Sequence, residues 1–539
     1  MAFTNLSRRS FVKGAGLLSC GAAASAVLAG CGGAPAAEAD EVKKVLRWAQ
    51  SNAKQGLDMQ KNTNSGMSAV SDPVVEALLR FTEDNELVPC LLTEIPTVED
   101  DGVTYHCTLK EGIKCHDGST LTANDVKYSF TRMFLPQTAG LSTYMYDMIV
   151  GAQEVMDGTT TDLTGVTVED DTHFTITLQY PMATFVKNLG INYANVFPQK
   201  ACEEAGDKWG YELNYVGSGP FKLVENDDST HMVFERFPEY HLADEIHLDG
   251  IDVTFEDDNN TKLMKFKNGD IDMCDLTIDL LPTYQQDPDV KDCINYSTGL
   301  GTWFVNLNLN TPALQDVRVR QAMSLAIDRQ AIIDNMLSGA GVPASGFLNQ
   351  GVPGFDSSAQ AFPYDPDKAK ALLAEAGASN VKLSCVVRTG QYESIMVAVQ
   401  NYLKEVGIDM DVQTVDNGVW ASDWVAGEYE VTALAWYPLY ADADNQMYTY
   451  FHSSNASGKG SFYNNPEFDA LMDEARRSAD EKHRAELYRE ADNIMSRTDY
   501  ACLPLFYPQL MFVTKPNVKN AKLGNLIYHF RDIDMDVEQ

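Results

Sequence analysis

The sequence predicts a multi-lobed α/β protein, and three observations carry that prediction. Its 539 residues exceed what one hydrophobic core organises. Strand and helix patterns alternate through the C-terminal half. No stretch repeats itself at the period of roughly 20–50 residues that marks a repeat architecture. A hydrophobic share of 44% is enough for sizeable cores and excludes disorder throughout. The formal charge of −36, from 41 Lys and Arg against 77 Asp and Glu, would repel a phosphate backbone, which excludes nucleic acid as a partner.

At the N-terminus, residues 1–30 read as an export signal. Ser7-Arg8-Arg9-Ser10-Phe11-Val12-Lys13 sets paired arginines before an apolar run, 15–29, that is too short to span the ~30 Å hydrocarbon core comfortably. The frame resembles a twin-arginine export signal. Leu28-Ala29-Gly30-Cys31 resembles a bacterial lipobox, in which small residues fit the peptidase and the Cys31 thiol takes a lipid. Residues 31–44 then read as the lipidated Cys31 and a flexible tether, since 32–40 is small, polar and aperiodic. The expected address is extracytoplasmic, lipid-anchored to the outer face of a membrane.

Cys20 leaves with such a signal. Of the cysteines that remain, one pair can be argued. Glu111-Gly112 lies between two strand-like runs, 105–109 and 113–115, and a hairpin centred near Glu111 sets Cys107 opposite Cys115. A cross-strand disulfide and two small buried thiols are both open at this point. The same hairpin puts His106 and His116 on the face opposite the two cysteines, so four soft ligands do not converge and no metal site is expected here.

Further along, helices carry their own start and stop chemistry. Thr122-Ala123-Asn124-Asp125 is a capping-box variant ahead of Val126, Phe130, Met133 and Phe134 on one face. Asp316 caps a second helix, with Val319, Ala322, Met323, Ala326 and Ile327 along one side. Asp365-Pro366 and Asn465-Pro466 each place Pro at the first helical position, and Gly377 stops the first of these two helices. From 381 the order is clearest. Residues 381–387 alternate as a strand, Ile395, Val399, Tyr402, Leu403 and Val406 form a helical face ended by Gly407, 409–415 is a strand, 420–425 a short helix and 430–436 a third strand. This β-α-β-α-β order implies a parallel sheet with helices on its faces.

No nucleophile elbow, zinc-protease helix, phosphate-binding loop or dinucleotide-binding turn occurs after the signal. Asp442-Ala443-Asp444 lacks the Gly and the distant Glu of a calcium loop and reads as a solvated or capping turn. The richest convergence lies beyond the carboxyl ends of the three strands, where open α/β sheets bind ligands. Arg388 follows the first strand, Asn417 and Trp420 the second, and Trp436, Tyr437 and Tyr440 the third. Arg388 offers a planar fork to a carboxylate, and the aromatics offer walls for an apolar body. The competing reading is an ordinary closed core with Arg388 paired to a surface acid.

Thr104-Tyr105-His106-Cys107-Thr108-Leu109-Lys110-Glu111-Gly112-Ile113-Lys114-Cys115-His116-Asp117-Gly118-Ser119-Thr120-Leu121-Thr122-Ala123-Asn124-Asp125-Val126 resembles the signature of family 5 extracellular solute-binding proteins, the peptide and nickel type serving ABC importers. Gly217-Ser218-Gly219-Pro220-Phe221, Val317-Arg318-Val319-Arg320-Gln321-Ala322 and Ala326-Ile327-Asp328-Arg329 extend the match, so the resemblance runs from Val45 to the C-terminus. It implies a two-lobed periplasmic-binding-protein-like clamp of type II with an additional α/β domain. Lobe I would comprise 45–73, 215–295 and 505–539, the additional domain 74–214, and lobe II 296–504.

The resemblance also implies a non-enzymatic, cofactor-free monomer that captures a peptide or peptide-like solute and hands it to ABC permease and ATPase subunits. A nickel, haem or metallophore carrier is the alternative inside the family, and a surface-anchored peptide hydrolase the alternative outside it. Family members usually carry Phe where Cys107 and Cys115 stand, which implies core or disulfide positions. Peptide-binding relatives align a ligand-carboxylate Arg with Arg388, pocket tryptophans with Trp420 and Trp436, and a ligand-touching loop with Gly66, Met67 and Ser68. Dipeptide-type members place an amine-binding Asp three residues after the Trp matched by Trp436. Leu439 stands there in this chain, which leaves Asp442 or Asp444 to meet a ligand amine.

Overall fold

The computed structural model describes residues 43–537 apart from 52–55, 63–64, 83, 100, 228, 525–526 and 529. The export signal 1–30, Cys31 and most of the tether lie outside the described residues. Order is anchored from Lys44, whose backbone N–H donates to Asp249 at 2.8 Å and whose ammonium meets Asp534 at 2.7 Å. Among the described residues no helix is long and apolar enough to cross a membrane.

One long sheet organises the molecule, and one strand holds its two halves together. In the first half, Phe221–Asn226, His231–Arg236, Gly250–Phe255, Val45–Gln50 and Met273–Asp275 lie side by side in that order. In the second, the order is Thr302–Leu307, Val431–Trp436, Val381–Arg388 and Ile408–Val415. Between them runs Cys502–Thr514. Its last residues pair with Ile294–Thr298 and Met273–Asp275 of the first half, from Gln509 onward. Its earlier residues pair with Thr302–Leu307 and Gly341–Pro343 of the second, up to Pro508. Pro508 has no N–H to give a ladder, so the handover falls where a proline already interrupts the donor row. Two half-sheets joined through one strand are what a two-lobed α/β clamp requires.

Separate cores fill the halves. Trp48, Phe221, Phe234 and Phe512 pack in the first; Val305, Met323, Val387 and Val399 pack in the second. A third unit has its own antiparallel sheet, Thr97–Val98, Thr104–Thr108, His173–Thr177 and Val166–Val168, with Phe130, Phe134, Tyr146 and Phe174 in its core. This unit is tied to the C-terminal segment through Glu76. The buried carboxylate accepts from Arg531 at 2.7 Å, Ser218 at 2.8 Å, Tyr240 at 2.9 Å and His241 at 3.1 Å. Burial alone would raise its pKa, but the Arg531 charge and the His241 hydrogen bond outweigh burial and hold it at about 2.

The helix chemistry read from the sequence is present. Asp125 accepts from the Thr122 backbone N–H at 2.8 Å ahead of Ala123–Phe134, and Asp316 caps Val317–Ala326 through the Arg318 N–H at 2.9 Å. Pro366–Glu375 and Pro466–Arg477 begin on the prolines, and Gly377 takes φ of 66° just past the end of the first.

The hairpin expected around Glu111 does not form. Strand Thr104–Thr108 pairs instead with His173–Thr177, which places Cys107 opposite Phe174. The segment after Glu111 closes on itself, with Cys115 N–H donating to Ser119 at 2.9 Å and Leu121 N–H to Ile113 at 2.9 Å. A five-residue partner with alternating Phe174 and Ile176 buries more apolar surface than the three residues 113–115 could. Cys107 and Cys115 are consequently free thiols, not a disulfide, and burial pushes both up to about 12. His106 meets Glu99 at 2.7 Å on the surface, while His116 is buried against the Gly219 carbonyl at 2.9 Å.

Candidate functional site

Three strands run parallel with their carboxyl ends on one edge, as expected. Val381–Arg388 and Ile408–Val415 are in register from Val381 opposite Ile408 to Arg388 opposite Val415, and Val431–Trp436 joins at Val431 opposite Cys385. The intervening helices are Gln391–Glu405 and Asn417–Val425. Arg388 and Trp436 are thus the last residues of two strands, and Trp420 projects from the helix that follows Ile408–Val415.

Local bonds fix these side chains. The Trp420 indole N–H donates to Thr432 Oγ1 at 3.0 Å, and the Thr432 hydroxyl donates to the Val386 carbonyl at 2.7 Å. That chain pins the buried indole against the strand ends. The Arg388 guanidinium lies 4.3 Å from the Trp420 ring and 3.9 Å from the Tyr392 ring, sandwiched between two π-faces. Its Nε is buried without a hydrogen-bond partner, and so is Trp436 Nε1. Both are donors awaiting an acceptor.

The aromatic wall is larger than the sequence reading had it. Trp424 stacks on Trp420 at 5.2 Å and donates its N–H to the Lys459 carbonyl at 3.0 Å. Tyr450 stands 4.8 Å from Trp436 and 6.2 Å from Trp424, and the Lys459 ammonium lies 5.4 Å from Tyr450 and 5.5 Å from Trp424. On the other side Tyr392 stacks on Trp303 at 4.5 Å. Trp424 had a signal: it lies four residues after Trp420 on the same helix, Asn417–Val425, and one helical turn aligns such pairs, whereas Tyr392 lies on the helix after the Arg388 strand and had none. Tyr450 and Lys459 sit on short helical turns without periodicity and had none.

Two cavities flank this wall. One of about 730 Å³ lies where the half-sheets meet, lined by Trp303, Tyr437, Gly390, Gln391, Phe506 and Leu510. Tyr437 therefore lies at the seam, its hydroxyl pushed up to about 12 by burial. Gly301 makes room for it, since a Cβ there would come within 2.4 Å of the Tyr437 ring. The other cavity, about 560 Å³, separates Tyr144 and Tyr180 of the third unit from Tyr448, Lys459 and Arg476. Both volumes suit a small organic or peptide ligand.

Other candidate residues are placed elsewhere. Gly66, Met67 and Ser68 form part of a helix, Ser65–Ser71, rather than a loop. Met67 is buried among Trp48 and Val70, Ser68 is buried and accepts from the Asn192 amide, and Gly66 is half-buried. Asp442 is fully buried and meets Lys187 at 2.7 Å and Arg484 at 2.9 Å, so the solvated turn expected there is a buried ion-pair cluster. Burial works to raise its pKa, but the two cations prevail and lower it. Asp444 faces Arg476 at 2.9 Å. Asp442 and Asp444 thus each face internal cations, and Asp444 also lines the cavity of about 560 Å³. Leu439 packs against the third unit beside Phe81, at a cavity of only about 80 Å³.

Comparison with known proteins bears on the family and the fold. Residues 86–458 match the description "Bacterial extracellular solute-binding proteins, family 5 Middle". The periplasmic oligopeptide-binding protein OppA of Escherichia coli (strain K12) is 27% identical over 527 residues, 95% of this chain and 95% of its own. Heme-binding protein A of Haemophilus influenzae is 27% identical over 453 residues, 79% and 80% of the two chains. Among solved structures, the Escherichia coli murein tripeptide binding protein MppA superimposes with a TM-score of 0.77 at 24% identity, covering 92% of this chain and 98% of that one.

Proposed function

The chain belongs to family 5 of the bacterial extracellular solute-binding proteins, and on that premise we propose that it captures a peptide or peptide-like solute and delivers it to an ABC permease for import. A solute-binding protein is not an enzyme: the site binds and releases. The observation that carries the reading is Arg388, held between Tyr392 and Trp420 at the strand ends, with a buried Nε that has no partner inside the protein. A ligand carboxylate completes that donor set through the guanidinium fork, and the indole and phenol faces enclose the rest of the ligand. Trp436 Nε1 supplies a second donor for a ligand carbonyl.

In this reading 45–73, 215–295 and 505–539 form lobe I, 74–214 the additional domain and 296–504 lobe II. The boundary near 505 then lies within the strand Cys502–Thr514, which acts as the hinge. Cys31 carries the lipid that holds the protein to the outer face of the membrane, and the protein works as a monomer beside its permease and ATPase subunits. Replacing Cys31 by Ser should release the protein into the soluble fraction; membrane retention of that variant would remove the anchor from the account.

Native mass spectrometry of the protein as isolated, paired with melting shifts across peptide panels, tests peptide capture. Retained or added peptides that stabilise the fold support it, and the absence of any peptide-dependent shift refutes it. The similarity to a heme-binding protein motivates a second reading, a haem carrier. A haem absorbance band in the isolated protein, or one acquired on titration, would favour that reading over peptide capture.

A further inference from the structure

Cations are the minority charge in this protein, 41 against 77 acids, and its buried or partly buried cations are mostly matched. Arg132 meets Asp58 at 2.6 Å, Arg531 meets Glu76 at 2.7 Å, Lys262 meets Asp275 at 3.0 Å and Arg476 meets Asp444 at 2.9 Å. Lys187 and Arg484 share Asp442. Where no carboxylate is near, backbone carbonyls fill the role, as for Arg329 on Pro504 and Ser324 at 2.7 and 3.0 Å.

Arg388 and Lys459 break this pattern. The Tyr392 and Trp420 rings flank the Arg388 guanidinium, and its Nε is unpartnered. The Lys459 ammonium rests on the Trp424 and Tyr450 faces, and burial lowers its pKa with no carboxylate near enough to oppose that shift. The cavity that Lys459 lines also carries Asp147 and Asp444; burial raises both carboxyls against the charge of Arg476, which meets Asp444 at 2.9 Å, and neither acid opposes the shift of Lys459. A protein this rich in acid leaves two partly buried cations at the two ends of one aromatic stack, Arg388 on Trp420 and Lys459 on Trp424, without an ion pair among the described residues. An anion arriving from outside gives each cation a partner, and the attraction is stronger where water is partly excluded, offset by the cost of desolvating the anion.

We propose that the site selects a ligand with two anionic groups, an acidic peptide whose terminal carboxylate meets Arg388 and whose acidic side chain meets Lys459. This rests on the peptide-capture reading above and narrows it. The two cations are joined by steps of 4.3 Å from Arg388 to the Trp420 ring, 5.2 Å from ring to ring and 5.5 Å from the Trp424 ring to Lys459. They are therefore no more than about 15 Å apart, which an extended chain of roughly four residues covers. The acidic side chain thus lies within the last few residues of the ligand.

Calorimetric titration with tetra-alanine, and with Glu or its isostere Gln placed in turn at each of the first three positions, tests the proposal on the full folded protein. At least one Glu peptide should bind tenfold or more tightly than its Gln partner. That preference should vanish in Lys459→Met and persist in Lys459→Arg, a variant that keeps the charge and serves as the control for folding. Equal affinities within every Glu and Gln pair overturn the selection while leaving peptide capture standing, as does a preference that survives Lys459→Met. Failure of every peptide to bind overturns both.

Discussion

Arg388 and Trp420 could be chosen from the sequence because each stands at the end of a strongly patterned strand or one turn into the helix after it, where a parallel sheet places ligands. Arg388→Met keeps the stem that packs between Tyr392 and Trp420 and removes the fork. Peptide affinity should fall at least tenfold with an unchanged unfolding midpoint, measured by titration and thermal melting; an unchanged affinity would remove Arg388 from the site. Lys459 and Tyr450 were invisible to the same reasoning, since they reach the wall through tertiary packing of short turns. His116 gives a prediction of another kind. Its Nε2–H donates to Gly219 and its Nδ1 accepts the Gly217 N–H, a neutral imidazole, and burial lowers its pKa from 6.5 to about 4. The unfolded chain takes up this proton below pH 6.5 and the folded protein refuses it until about pH 4. Stability is therefore fully present above the unfolded value and declines as pH falls through that window, by about 3 kcal/mol in all. His116→Gln should flatten that part of the urea-midpoint profile; a profile of unchanged slope would contradict the assignment.

Elements with long-range partners explain where the sequence reading departed from the structure. The unit 381–436 was legible because its strands and helices alternate locally and each carries its own period. Thr104–Thr108 was not, because its partner His173–Thr177 lies far along the chain and a nearby Glu-Gly offered a plausible but shorter hairpin. Reducing agent should accordingly leave the melting temperature unchanged, since Cys107 and Cys115 are separate buried thiols; a drop on reduction would restore the disulfide. The turn at Asp442 misled for a related reason. Two acids in a short polar segment read as solvated, yet Lys187 from the third unit and Arg484 from a later helix close over Asp442. Asp442→Ala leaves the buried Arg484 facing the partly exposed Lys187 without their shared carboxylate and should lower unfolding free energy by about 3 kcal/mol in urea titrations. A loss below about 1 kcal/mol would show that water already reaches the cluster.

At the scale of the whole molecule, the acidic excess and the cationic site are two sides of one arrangement. Acids dominate the composition, but the aromatic wall between the two cavities carries Arg388 and Lys459 with no paired carboxylate among the described residues. The clamp is built on a single strand, Cys502–Thr514, that both half-sheets share, so the wall and the cavity of about 730 Å³ beside it sit next to the connection about which the lobes would move. Net charge excluded a nucleic-acid partner and length implied more than one core; only the assembled sheet shows that the aromatics of one half face residues of the other. Because Trp303, Trp420, Trp424 and Trp436 all belong to this wall, their emission reports occupation directly. Tryptophan fluorescence titrated with a peptide library is the most direct test: the account predicts a saturable change at one peptide per chain that is lost in Arg388→Met. Emission unmoved by any peptide, or an equal response from the Arg388→Met protein, would contradict it.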